Sequence, residues 1–172
     1  KAGAKGKKHH AQILGSGTLM SSALEAQKIL ASKYDVSADI WSVTSYQQLY
    51  RNARSVEREN RLNPVAKPKA STLEDNLGKT KGPIVSTCDW VQELPAMLGR
   101  FMPRRFVPLG ASGFGRSDTR EALRKHFEVD SANVVIATLH ALMLDGEIKA
   151  DVIADAMQSL GVEADKIDPM QA

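Results

Sequence analysis

The sequence predicts an α/β fold with helices on both faces of a mainly parallel sheet. Three observations carry this. Short apolar runs alternate with helix-period segments in the order β-α-β-α-(α)-β-α-β-α-α-α, and that alternation builds parallel sheets covered on both sides. Two of the strands run directly into glycine turns, Gly15-Ser-Gly17 and Gly110 with Gly113 and Gly115. Strand, glycine turn, helix is how such folds place backbone N–H groups at the mouth of the sheet. Finally, capping residues stand ahead of most of the periodic segments.

Taken in order, residues 1–10 read as a flexible linker and residues 11–172 as one domain. Ala11-Gln-Ile-Leu14 is a short strand. After the turn, with Ser16 or Thr18 as cap, Leu19, Ala23, Ala26 and Leu30 mark a helix over 19–33. Residues 37–43 form a strand with Ile40 and Trp41 as its bulk. Ser45 and Gln48 have capping-box spacing ahead of a helix to about 61. Its apolar stripe is thin, Leu49, Val56 and Ala53. Its arginines Arg51, Arg54 and Arg58 share one face, and Glu57 and Arg61 are spaced as an i, i+4 pair. Residues 62–69 hold two prolines and form a loop. Ser71 and Glu74 bracket a small capping box for a short helix to 77.

Residues 83–87 read as a buried strand. Asp89 is the expected cap of the next helix, in which Pro95 demands a late start or a kink. A strand over 104–109 leads into LGASGFGRSDTREALRKHFEVD, the centre of the chain. Ser117 or Asp118 can cap the helix bearing Leu123 and Phe127, and Asp118 has Glu121 at capping-box spacing. Ser131 is the expected cap of a strongly apolar helix ending near Leu144, with His140 packed inside it. A last helix over 149–160 stops at Gly161.

At 172 residues, with 42% hydrophobic and 25% charged content, the chain is long enough for one domain with a sizeable core. Its first methionine is Met20, which suggests a segment of a longer polypeptide. The apolar run over 134–144 is too short to span a bilayer, and no membrane partner is expected. A single cysteine, Cys88, excludes an intrachain disulfide and suits a reducing, cytoplasmic setting. The net charge of +3 is misleading. Lys1, Lys5, Lys7 and Lys8 supply more than that excess, and the remaining body is one unit negative, so no nucleic-acid partner is expected.

Several constellations have two readings. Gly15-Ser-Gly17 lacks the third glycine of a dinucleotide fingerprint, since Met20 stands there. Gly113-Phe-Gly115 with Arg116 is either an anion site at a helix start or a packed turn with its arginine paired. The Arg51, Arg54, Arg58 face either grips an acidic partner or is solvated. Cys88 is a nucleophile only beside a histidine, and otherwise an inert buried thiol. His9, His10, His126 and His140 lack metal-ligand spacing.

The blocks Leu14-Gly-Ser-Gly17, Val43-Thr-Ser45 with Leu49, Glu57-Arg58, Asn60, Leu62 and Pro64, and above all Gly113-Phe114-Gly115-Arg116-Ser117-Asp118 with Arg120, Leu123-Arg124 and Phe127-Glu-Val-Asp130, carry a resemblance. They resemble the C-terminal domain of the homodimeric, bacterial-type pyruvate dehydrogenase, the transketolase-like first component of its complex. The resemblance implies a three-layer α/β/α sandwich with about five strands, one antiparallel. It implies an enzyme that decarboxylates pyruvate with thiamine diphosphate and Mg²⁺ and acetylates a lipoyl group of the dihydrolipoamide acetyltransferase core. The family's Gly-Asp-Gly segment, which holds the metal and diphosphate, is absent here. The chain then reads as the non-catalytic third domain, with no catalytic, cofactor or metal residue of its own. Its partners would be the rest of its polypeptide and a second subunit, with Arg58, Asn60 and the residues from Gly113 to Asp118 plus Arg120 as interface elements. Ser112 departs from the family's aspartate. The competing reading is a free-standing, flavodoxin-like small-ligand module with its site at the two glycine turns.

Overall fold

A computed structural model describes all 172 residues. Four strands, β1 (His9–Gly15), β2 (Val36–Ser42), β3 (Ile84–Thr87) and β4 (Phe106–Leu109), form one sheet in the order β2-β1-β3-β4. All three pairings are parallel. The helices are α1 (Met20–Lys33), α2 (Tyr46–Leu62), α3 (Thr72–Leu77), α4 (Glu93–Ala96), α5 (Arg120–His126), α6 (Ser131–Leu144) and α7 (Ala150–Leu160). The sheet therefore has four strands, not about five, and none is antiparallel.

The central strands are covered on both faces, and their residues are buried almost without a break. Period-2 alternation sorts their side chains into two cores. On one face Ala11, Ile13, Val36, Ala38, Ile40 and Val85 meet Ala23, Ala26 and Leu30 of α1, Val134, Val135, Leu139 and Leu142 of α6, and Ile153 and Ala156 of α7. On the other, Leu14 and Ile84 meet Tyr46 and Ala53 of α2, Leu73 and Leu77 of α3, Cys88 and Leu98. Gln12 is buried on this second face with its amide fully used. It accepts from Trp41 Nε1 at 2.8 Å and donates to Lys81 O at 3.1 Å and Asp39 Oδ2 at 3.3 Å.

The first strand begins at His9, two residues earlier than its apolar pattern suggests. His9 N donates to Asp35 O at 3.2 Å, and its ring is buried with Nδ1 2.9 Å from Glu147 Oε2. Nor do the residues expected as a linker hang free. Lys1 and Ile40 exchange both backbone bonds, at 2.6 and 2.8 Å, and Gly3 N donates to Asp39 Oδ1 at 2.7 Å. Hydrogen bonding to an open strand edge leaves no trace in hydropathy.

Ser45 and Ser71 cap α2 and α3 as expected, Ser71 in a full capping box with Glu74. Elsewhere the cap shifts by a residue or more. Thr119, not Ser117 or Asp118, caps α5, and Asp118 instead accepts from Thr119 N at 2.6 Å. Asp130, not Ser131, caps α6 by accepting from Asn133 N at 2.9 Å. Asp89 caps nothing. The helix it was to start is delayed to Glu93 and is a single turn, followed by a 3-10 turn at Gly99–Phe101. Pro95 thus falls in the first turn, where its missing N–H costs nothing. Gly161 ends α7 in the left-handed conformation, and Val162 N reaches Met157 O at 2.9 Å in a Schellman closure.

By composition the stretch Arg120–Leu144 could cross a membrane. A turn with Glu128 at φ +58° breaks it into α5 and α6, and α6 is the middle helix of the first core. His140 lies on the exposed side of α6 rather than packed within it.

Candidate functional site

In a doubly wound sheet the place to look first is the crevice at the strand ends where winding changes direction. Here that crevice lies between β1 and β3. It is closed. Ser16 N donates to Thr87 O at 3.2 Å, bridging the strands. The Asp89 carboxylate then sits over the glycine turn: Thr18 Oγ1 donates to Asp89 Oδ2 at 3.2 Å, and a Cβ on Gly17 would lie 3.3 Å from Asp89 Oδ1. A carboxylate at the mouth of the turn repels phosphate. The flavodoxin-like reading loses its first site on this geometry.

The second glycine turn is built differently. The chain leaving β4 is stitched to the segment leaving β3. Ala111 N donates to Trp90 O at 2.8 Å, and Gln92 N donates to the buried Ser112 hydroxyl at 3.0 Å. Gly110 is required there, since a Cβ would fall 2.6 Å from Trp90 O, Gln92 N and Gln92 Cα. So Ser112, where the resembled family carries aspartate, serves as a backbone acceptor in this chain. Gly113, at φ +113°, passes against Pro169 O of the C-terminal tail.

Beyond Gly113 the loop leaves the body. Gly113, Phe114, Gly115, Arg116, Ser117, Asp118, Thr119 and Arg120 are all exposed, and Phe114 is 79% accessible. The chain returns at α5, whose C-terminal half is fastened to the body. Arg124 donates to Thr18 O at 3.1 Å and Ser21 Oγ at 3.3 Å. Lys166 donates to His126 O at 2.6 Å and Glu128 Oε1 at 3.0 Å. A firmly rooted loop thus presents an aromatic ring and two arginines that have no carboxylate within 4.0 Å. Arg116 is not paired to a neighbouring acid, and Phe114 is not packed.

Trp90 and Val91 are also exposed, at 64% and 52%. They lie on the loop that Ser112 and Ala111 tie to the Phe114 loop, so the strand-end edge carries three large uncovered apolar side chains. The residue pattern after Asp89 places Trp90 and Val91 in a helix, but the helix starts only at Glu93 and leaves both on the loop. Beside this edge is a cavity of about 390 Å³ lined by Gln92, Ser112, Phe127, Lys166 and Pro169 among others.

Arg58 and Asn60 belong elsewhere. They lie at the far end of α2, near the strand-start edge, where Asn60 shares a cleft with Pro103 just ahead of β4. Asn60 is a clamp. Its Nδ2 donates to Lys69 O and its Oδ1 accepts from Lys69 N, both at 2.9 Å, closing the loop over 62–69. Arg58 is exposed. The expected pairing of Glu57 with Arg61 does not form. Glu57 pairs with Arg100, whose guanidinium is set over the Phe101 ring at 4.7 Å.

Cys88 is fully buried between the β3 end and Leu109, with its thiol 3.6 Å from Trp90 O and 3.7 Å from Leu109 O. Burial pushes the thiol above its ordinary range, and nearby Asp89 adds to that. The thiol should therefore ignore a maleimide in the folded protein and react only after denaturation, a difference that mass spectrometry of labelled samples reads directly. Rapid labelling of the native chain would contradict the placement.

No group of three His, Cys, Asp or Glu side chains converges on a metal-sized point. The sheet edge offers a carboxylate at one turn and a serine at the other, which is not a donor set for a metal diphosphate. No catalytic step is assigned to these residues.

A family model for the transketolase-like TK C-terminal domain matches residues 2–130. The chain belongs to the transketolase-like C-terminal domain family. Among curated relatives, the pyruvate dehydrogenase E1 component of Pseudomonas aeruginosa is 41% identical over 163 residues, 94% of this chain and 18% of that protein. The E. coli K12 pyruvate dehydrogenase E1 component is 39% identical over 169 residues, covering 98% and 19%. The chain thus spans about a fifth of the length of these enzymes and is homologous to that part of them. A solved split-gene transketolase, an inactive β4 tetramer, superimposes with a TM-score of 0.54 at 19% identity, over 80% of this chain and 41% of that one. That likeness bears on the fold alone. In this transketolase-like domain the core extends beyond the matched residues, because α6 and α7 complete its first face.

Proposed function

We propose that this chain is the C-terminal, non-catalytic domain of a thiamine-diphosphate-dependent pyruvate dehydrogenase (acetyl-transferring), acting in the cytoplasm. The whole enzyme would decarboxylate pyruvate with thiamine diphosphate and Mg²⁺ and pass the acetyl group to the lipoyl of a dihydrolipoamide acetyltransferase core. This domain's task would be assembly of the homodimer. The supporting observation is the strand-end edge, where Phe114, Trp90 and Val91 stand uncovered on loops rooted by buried hydrogen bonds. Exposed apolar clusters on rigid supports mark protein contacts.

The test is Phe114→Asp in the longer polypeptide, followed by sedimentation velocity. A central aromatic anchor replaced by a charge should weaken the dimer at least about tenfold. The thermal midpoint of each subunit should change little, because Phe114 is 79% exposed in its own chain. A dimer that is indifferent to the change would remove this edge from the interface.

A further inference from the structure

α2 carries a second, separate surface. Arg51, Arg54, Arg58 and Arg61 are all exposed and line one open groove of about 640 Å³ together with Tyr50, Ser55, Glu57 and Arg100. The spacing i, i+3, i+7, i+10 sets the four guanidinium groups on one face of the helix, along about 15 Å of its axis. The helix has only two carboxylates of its own. Glu57 is held by Arg100 and Glu59 by Lys69, both cations from outside the helix. The four arginines therefore have no carboxylate within 4.0 Å. Like charges so spaced on one helix face are mutually destabilising. The folded chain tolerates that repulsion while assigning its own acids elsewhere.

We infer that this stripe docks an acidic polypeptide segment, with carboxylates seated on the α2 arginines. Guanidinium forks take carboxylates in bidentate geometry, and five or six extended residues cover the length of the stripe. A nucleic acid fits less well. Apart from Lys1, Lys5, Lys7 and Lys8 the chain is one unit negative overall, so little net attraction is left for a long polyanion. The one aromatic ring in the groove is also engaged. Tyr50 meets the edge of Phe101 at 5.9 Å and carries Arg54 at 5.7 Å, leaving no free platform for base stacking. This inference does not depend on the dimer edge, which uses other loops.

The experiment uses this chain and fluorescein-labelled hexaglutamate, read by anisotropy at 20–200 mM salt, with oligo-dT of equal charge as comparator. Hexaglutamate should bind saturably at low salt and more tightly than oligo-dT. R51E/R54E/R58E should weaken it at least about tenfold while the chain still unfolds in one cooperative transition. K5E/K8E, in the N-terminal segment, should leave it unchanged. Binding that survives the triple reversal, or that is lost in K5E/K8E, overturns the inference. So does a preference for oligo-dT.

Discussion

Gly82→Ala should cost more than about 4 kcal/mol, enough to unfold a domain of ordinary stability. Gly82 has φ +76°, and a Cβ there would lie 1.7 Å from His10 O, 2.4 Å from His10 C and 3.0 Å from Ala11 N. Those atoms belong to the backbone of β1, which pairs with strands on both sides. It cannot retreat without breaking ladder bonds. The same turn is fixed from the other direction by Arg104, whose Nε donates to Gly82 O at 2.8 Å and whose Nη2 reaches Leu77 O at 2.9 Å. So the turn cannot move outward either. Gly99→Ala is the control: its Cβ would meet nothing within 4 Å, and its unfolding free energy from urea melts should stay within about 0.5 kcal/mol of the parent. A parent-like urea midpoint for G82A would refute the packing described for this turn.

The second large effect is alkaline. Tyr46 is buried in the second core, and its phenol is pushed far above the usual tyrosine range, first by burial and then by the neighbouring Cys88, with Ser86 pulling weakly the other way. Neither Tyr46 Oη nor Ser86 Oγ meets a partner at hydrogen-bonding geometry. A group whose folded pKa is raised contributes stability that is fully present below its unfolded value. That stability is lost as pH rises towards the folded one, because the unfolded chain alone releases the proton. Loss should begin near pH 9, where an unfolded cysteine ionises, and steepen above pH 10 as tyrosine follows. Each such group costs about 1.4 kcal/mol per pH unit in its window. Tyr46→Phe should remove the steeper part. At pH 7 it should be neutral or slightly stabilising, since it deletes a buried hydroxyl without a partner. Urea melts from pH 7 to 11 separate the cases. A tyrosine-to-phenylalanine variant as alkali-sensitive as the parent would place the titration elsewhere.

Both glycine turns, all seven helices and the four strands were legible as patterns, because each depends on local spacing or on runs of apolar residues. What escaped the sequence were choices between near-equal neighbours and contacts made at a distance. Ser117, Asp118 and Thr119 all have the chemistry of a cap, and the path of the loop selects Thr119. Glu57 has Arg61 one turn away, but pairs with Arg100, which is set over the Phe101 ring. Lys1 and Gly3 looked like linker because edge hydrogen bonding to β2 carries no hydrophobic signature. The loop from Gly113 to Asp118 stood out by resemblance rather than by physics. Taken alone, its glycines and arginine favour a packed turn, and its exposure overturns that reading.

The two faces of the sheet close at different times during synthesis. Every buried member of the α2–α3 face lies at or before Leu98, so that layer can assemble once β4 has left the ribosome. The opposite face needs Val134 through Ala156, some fifty residues later. At elongation rates of about 5–20 residues per second, that half of the sheet waits several seconds with α1 alone in place over it. A nascent chain of this kind is a natural client for hydrophobic-binding chaperones during that interval. Its release should coincide with the emergence of α7, not with completion of the sheet.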